Sequence, residues 1–176
     1  MGKCMSAPVQ YISSIAIDTV IEALGAFIQP FVGTTQIIRA QANRVAMPVG
    51  AFVELTEISS IDLEVPRQWY DGANAQKDII GPKRIMIQSD FYGESSGDWC
   101  AAVKTVWRTS YATEQFAAGI APLYCDDGRE VPLVTGEEQY ERRWELNMML
   151  QYNPVICVPL QSADILSMNI VKGVTA

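Results

Sequence analysis

Apolar and polar side chains alternate most regularly in residues 141–154. The apolar side chains fall on the even positions, Trp144, Leu146, Met148, Leu150 and Tyr152. The odd positions carry polar side chains, Arg143, Glu145, Asn147 and Gln151. Successive side chains of a strand point to opposite faces, so this pattern predicts one long β-strand with a single wet face. Strands of that kind are typical of antiparallel sheets.

Two segments repeat their apolar residues every three or four positions, which predicts helices. The first covers residues 13–29 and ends at Pro30 and Gly33. Its apolar stripe consists of Ile17, Val20, Ile21, Leu24, Phe27 and Ile28. The second is capped by Ser95 or Ser96 and runs to about Thr113. Its stripe consists of Trp99, Val103, Val106, Trp107 and Ser110, so the two tryptophans are expected in the core.

Shorter β-like segments complete the pattern. They cover residues 36–40, 50–58, 61–65, 83–92, 121–125, 155–158 and 165–172. Residues 67–82 have a more polar composition around Trp69 and Tyr70 and are interpreted as an extended loop excursion. The whole chain, residues 1–176, is predicted to be a single domain with a short flexible N-terminal arm, residues 1–10. The fold class is α+β: a mostly antiparallel twisted sheet of six or seven strands, with two helices packed on one face.

Composition narrows the classes of function. Hydrophobic residues make up 49% of the chain and the formal net charge is −7. An acidic chain lacks the basic surface that grips phosphate backbones, so sequence-specific nucleic-acid binding is not expected. The longest apolar stretch, residues 12–32, is interrupted by Asp18 and Glu22, which argues against a membrane partner. Four widely spaced cysteines and no signal peptide suggest folding in a reducing cytoplasm.

Candidate catalytic chemistry is sparse. The chain has no His, which excludes Ser-His-Asp and Cys-His catalytic groups. Nucleotide-binding glycine motifs are also absent from the sequence. Asp126 and Asp127 with Glu130 would suit a hard cation, but an acidic turn is the simpler interpretation. The glutamates before Arg142 and Arg143 would suit acid–base work or, more simply, a charged strand entry. No catalytic residue, cofactor or metal site is predicted.

Three stretches carry a resemblance to a known family. They are Asn43-Arg44-Val45-Ala46-Met47-Pro48, then Arg84-Ile85-Met86-Ile87-Gln88-Ser89-Asp90-Phe91-Tyr92-Gly93, and the run from Pro122-Leu123-Tyr124-Cys125-Asp126-Asp127 through Glu137-Glu138-Gln139-Tyr140-Glu141-Arg142-Arg143-Trp144. Read in order, these blocks resemble the neck (tail) terminator family of tailed phages and prophages. The likeness covers residues 12–171. The family has no catalytic signature.

The resemblance implies a structural virion protein rather than an enzyme. Such subunits form a ring, usually a hexamer, on the head-proximal end of the tail tube, and genome DNA passes through the lumen. The expected partners are further copies of this chain, the tail tube protein and the head connector or adaptor protein. The protein is expected to fold in the bacterial host cytoplasm and to reside in the virion neck. Alternatives are another neck or tail component, a small-molecule binding module or an enzyme.

Candidate interface residues follow from charge, aromaticity and the wet strand face. Exposed aromatic side chains anchor many protein contacts, and rings need two different contact patches on each subunit. A loop packed on its own domain is the alternative for the aromatic pair. The candidates are Asn43, Arg44, Trp69, Tyr70, Asp126, Asp127, Arg129, Arg142, Arg143 and Glu145.

Overall fold

The structure, a computed structural model, describes residues 13–40, 48–131, 133–134 and 140–159. Three helices are present in this part of the chain: α1 (Ile17–Val32), α2 (Ser96–Trp107) and α3 (Ser110–Gln115). The strands are β1 (Gln36–Arg39), β2 (Phe52–Asp62), β3 (Arg67–Asp71), β4 (Gln76–Ile80), β5 (Lys83–Tyr92), β6 (Ile120–Cys125), β7 (Arg129–Glu130), β8 (Leu133–Val134), β9 (Tyr140–Glu141), β10 (Arg143–Tyr152) and β11 (Val155–Pro159).

Six strands form the main sheet. Its order is β1-β2-β5-β10-β6, and β7 pairs with β10 beside β6. The β1–β2 pair is parallel, whereas the other pairs of this sheet are antiparallel. The predicted α+β class with a mostly antiparallel sheet is therefore confirmed. The long strand read from the alternation is β10, which pairs with β5 along its full length.

The hydrophobic core lies between one face of the main sheet and the helices. Leu146, Met148 and Leu150 point from β10 into this core and are fully buried, as their even spacing predicted. On the helix side, the rings of Phe27 in α1 and Trp107 in α2 meet edge to face with 5.3 Å between centroids. Trp107 is only 1% exposed. The expectation that this tryptophan is a core residue is confirmed, and Trp99 packs half-buried against the same core.

The helix boundaries correct the sequence predictions. Helix α1 begins at Ile17 and continues through Pro30 to Val32. The helix tolerates Pro30 because a proline in the last turn removes only one backbone hydrogen bond. The predicted second helix is two helices, α2 and α3. Between them Thr109 is extended, and its hydroxyl donates to the carbonyl of Val106, competing with helical hydrogen bonding. At the start of α2, the Ser95 side chain makes no capping hydrogen bond.

The extended loop predicted for residues 67–82 is wrong. This segment is a β-hairpin, β3–β4, and β11 joins it in a three-stranded small sheet of order β11-β4-β3. Its turn is stabilised by the Asp71 carboxylate, which accepts hydrogen bonds from the Asn74 side chain and the Ala73 amide. These bonds, the side-chain bond foremost, lower the pKa of Asp71. Both faces of the hairpin are accessible, so its sequence lacks the apolar alternation that marks a half-buried strand.

The small sheet continues the main sheet. Strand β2 leads into β3, β4 leads into β5 and β10 leads into β11, with Pro66, Pro82 and Pro154 at the breaks. The separate strand predicted at residues 61–65 is the end of β2, which extends to Asp62. The predicted arm, residues 1–10, and the predicted strand, residues 165–172, lie outside the described residues.

One glycine position depends on close backbone approach. Gly93 follows β5 with φ of 112°, a conformation that L side chains rarely adopt. A Cβ atom placed there would lie 2.8 Å from the Cβ of Ala51. Any larger residue at this turn would therefore be strained both in its backbone and against its neighbour.

Candidate assembly surfaces

The face of the main sheet opposite the helices carries polar side chains from three strands. Strand register places Arg143 of β10 opposite Tyr92 of β5, and Glu145 opposite Asp90. Within the described residues no helix covers this helix-free face. The odd positions of β10 predicted a wet face, but the structure shows Arg143 and Glu145 only partly exposed. These side chains are therefore held in place rather than freely solvated.

A buried ion pair organises the helix-free face. The Arg143 guanidinium donates to both oxygens of Asp90, with Nε–Oδ1 at 3.1 Å and Nη2–Oδ2 at 3.0 Å. Gln88 donates to the same carboxylate, 2.9 Å from its Oδ2. The Asp90 side chain is only 2% exposed, whereas that of Arg143 is 21% exposed. A carboxylate this deeply buried requires such donors to remain charged.

An aromatic stack lies beneath the same guanidinium. The Arg143 side chain sits 5.7 Å from the centroid of the Tyr92 ring. Tyr92 in turn stacks on Phe52 of β2, with 4.2 Å between centroids. Burial raises the pKa of the Tyr92 hydroxyl to about 12, because the phenolate would be poorly solvated there. The stack and the ion pair together fix the three central strands at this end of the sheet.

Most of the charged candidate residues gather at this end of the main sheet, near the start of β10. Arg129 donates to Glu145 at 2.7 Å, and Arg142 donates to Glu130 at 3.3 Å. Asp127 pairs with Lys104 of α2, and this lysine lowers the pKa of the Asp127 carboxyl. Asp126 accepts a hydrogen bond from Asn147 at 3.4 Å. These charges therefore already have partners inside the subunit and form what we call the charged end.

Trp69 and Tyr70 lie at the opposite end of the molecule, on β3 of the small sheet. The Trp69 side chain is 73% exposed and that of Tyr70 is 51% exposed. They are separated from the charged end by the length of β10, roughly 35 Å at about 3.4 Å per residue. The predicted interface residues thus form two groups rather than one site. Asn43 and Arg44 lie outside the described residues.

The small sheet exposes apolar side chains on both faces. Cross-strand register places Trp69 with Cys157, and next to them Ile80 with Val155, on one face. The other face carries Tyr70 and Val158, and next to them Ile79 and Ile156. No residue of the three strands is buried. Within the described residues, this sheet therefore keeps apolar side chains accessible on both of its faces.

A further exposed feature was not identified from the sequence. Residues 58–70, which comprise the second half of β2, the connection 63–66 and most of β3, are all exposed. We call this stretch the β2–β3 edge. It holds six large exposed hydrophobic residues, Ile58, Ile61, Leu63, Val65, Trp69 and Tyr70. The alternation of Ile61, Leu63 and Val65 was visible in the sequence, but it did not reveal that no strand of the described residues pairs with this side of the sheet.

Catalytic groups do not converge in the described part of the chain. It holds no cluster of three side chains suited to bind a metal ion, and none of its helices is long and apolar enough to cross a membrane. A groove of about 350 Å³ beside α2 is lined by Cys100, Lys104 and Trp144. Burial raises the pKa of the Cys100 thiol to about 11, so the reactive thiolate is scarce near neutral pH.

Comparison with known proteins places these surfaces in context. The family model described as phage neck terminator protein matches residues 18–175. The chain belongs to this family. The resemblance read from the sequence is thereby confirmed, and the family is a structural one rather than an enzyme family.

Solved structures support the same fold. The chain is similar to a chain in the cryo-EM structure of an extracellular contractile injection system, titled PVC sheath/tube terminator in extended state. The TM-score is 0.50 at 11% sequence identity, and the match covers 94% of this chain but 66% of that chain. No curated protein matches the chain by sequence.

Proposed function

We propose that this neck terminator forms a closed ring, a hexamer, that caps the head-proximal end of the tail tube. The ring joins the tube to the head connector or adaptor protein, and genome DNA passes through its lumen. The observation that carries this proposal is the small sheet, whose apolar side chains lie on two faces without one buried residue. Such a surface is suited to burial against other proteins.

The separation of the two surface groups supports a ring. Cyclic assemblies use heterologous contacts, in which one patch of a subunit meets a different patch of the next. The charged end and the small sheet offer surfaces of different chemistry on opposite ends of the subunit. The exposed Trp69 and Tyr70 are suited to anchor a contact with the tail tube or connector, because aromatic side chains dominate binding energy at protein interfaces.

The charge of the chain supports passage of DNA rather than its retention. The formal net charge is −7. On the helix-free face, Arg143 is paired with Asp90. Paired guanidinium groups offer little free positive charge to phosphates, so DNA would slide past such a lining without strong binding. The helix-free face is therefore our candidate for the lumen lining.

Cryo-electron microscopy of intact virions tests this function. We expect six copies of the chain between the tail tube and the connector, in the virion neck. Copies located elsewhere in the particle would replace the terminator assignment with that of another neck or tail component. Absence from the virion would contradict an assembly role.

A complementation experiment tests the anchoring residues. Phage supplied only with the Trp69→Asp variant should release fewer joined, infectious particles, because a charge at this position prevents apolar docking. Tyr111→Asp is the matched control, since Tyr111 is 44% exposed on α3, outside the small sheet. Equal loss of infectivity in both variants would contradict a specific role for the small sheet.

A further inference from the structure

The β2–β3 edge consists of two strand edges that are unpaired in the described residues, joined by the connection 63–66, and its surface is apolar. Strand β1 pairs only with the first residues of β2, from Phe52 to Leu55. Beyond that point no strand in the described residues pairs with the outer side of β2, and β3 is the outermost strand of the small sheet. Six of the ten large exposed hydrophobic side chains in the described residues lie on this edge. Proteins usually protect such an edge, so one this apolar is suited to receive another strand.

Strand β11, the last strand of the described chain, forms the opposite edge of the small sheet. Strand β11 pairs with β4 on one side and ends at Pro159. Seventeen residues follow, 160–176, and among them Leu166, Met168 and Ile170 alternate with other residues in a strand-like pattern. Three strands separate the two edges, so they lie about 10 Å apart and face in opposite directions.

We propose that residues 160–176 of one subunit add as a strand to the β2–β3 edge of the next subunit. This inference rests on the proposed ring and names one of its contacts. Each subunit then donates a strand on one side of its small sheet and accepts one on the other, as a heterologous ring requires. Extended, the segment reaches about 55 Å, more than enough to cross to a neighbouring subunit. Backbone hydrogen bonds and the apolar side chains of both strands hold the contact.

Disulfide trapping between two variants of the full chain tests this pairing. Both variants carry Cys4→Ser and Cys157→Ser, which leaves the buried Cys100 and Cys125 as the native thiols. One variant adds Leu63→Cys on the edge, and the other adds Met168→Cys in the C-terminal segment. Because each engineered cysteine is on a different chain, a disulfide between them in the oxidised mixture joins two subunits. Val65→Cys and Ile170→Cys repeat the test at neighbouring positions.

We expect a reducible product of twice the chain mass, with the engineered cysteines joined in one peptide pair by mass spectrometry. A chain carrying both substitutions should give linked products of up to six subunits. Tyr111→Cys mixed with Met168→Cys is the control and should not cross-link. A mixture that forms no intersubunit disulfide, or a double variant that links only within its own chain, overturns the proposed pairing.

Electron microscopy of the same samples separates this inference from the ring itself. Closed rings without the cross-link would disprove the strand exchange and leave the proposed function intact. Cross-linked pairs or open chains without closed rings would support the strand exchange and contradict the ring. Monomers with neither rings nor cross-links would contradict both.

Discussion

Arg143→Met is the substitution for which the structure predicts the largest electrostatic effect. Methionine keeps an unbranched apolar side chain over the Tyr92 ring but removes the guanidinium that compensates Asp90. Removing one partner of a buried pair costs about 3–5 kcal/mol, because the other charge stays buried without compensation. Arg143 is 21% exposed, so solvent screening reduces this cost, and we expect a loss of about 2–4 kcal/mol.

The assay is urea denaturation followed by tryptophan fluorescence, with the free energy of unfolding obtained by linear extrapolation. Asp90→Asn and the double variant Arg143→Met/Asp90→Asn complete a double-mutant cycle. The double variant should be more stable than Arg143→Met alone, because asparagine removes the uncompensated charge. Arg142→Met is the control. The Arg142 and Glu130 side chains are 54% and 45% exposed, and exposed ion pairs contribute at most about 1 kcal/mol.

Two results would refute this reasoning. A loss below about 1 kcal/mol for Arg143→Met would show that the pair behaves like one on the surface. A double variant whose loss equals the sum of the two single losses would show that Arg143 and Asp90 are energetically independent. Either result would mean that the helix-free face is not organised by this ion pair.

Three further predictions concern the core, a turn and a buried hydroxyl. Trp107→Ala should destabilise the fold by about 3–5 kcal/mol in urea denaturation, whereas Trp69→Ala should change the stability of the subunit by less than about 0.5 kcal/mol. Equal losses would contradict the placement of Trp107 in the core and of Trp69 on the surface. Gly93→Ala should lower the melting temperature clearly more than Gly33→Ala, because only at Gly93 would the added Cβ meet a neighbouring atom at 2.8 Å; similar shifts in calorimetry would refute the close approach. Tyr92 should ionise only near pH 12 in ultraviolet absorbance titration. Its raised pKa stabilises the fold fully below the pKa of an unfolded tyrosine, about 10, and this contribution is lost as the pH rises toward 12. Tyr92→Phe should remove that pH dependence, and an unchanged stability profile in the variant would contradict it.

The sequence alone was sufficient for the strands and helices whose apolar side chains face the core. Residues 83–92 were predicted as a strand and match β5, and four of the five even positions of β10, Leu146, Met148, Leu150 and Tyr152, are buried. The apolar stripe of α1 likewise proved to be the face packed on the core. The spacing of apolar residues predicts these elements correctly because one face of each is buried and the other is not. Burial of one face therefore produces a regular apolar pattern in the sequence. The order of three sequence blocks along the chain also sufficed for the family, without any catalytic motif.

The remaining features depended on contacts between residues distant in sequence. The Arg143–Asp90 pair joins side chains 53 positions apart, and only the register of β10 against β5 brings them together. The hairpin at residues 67–82 was missed because neither of its faces is buried. Its sequence therefore lacks the alternation of apolar and polar residues from which a strand is predicted. The β2–β3 edge could not be recognised for a related reason. Its alternating apolar residues look like those of any half-buried strand, and only the strand order of the folded sheets shows that no neighbour in the described chain covers them.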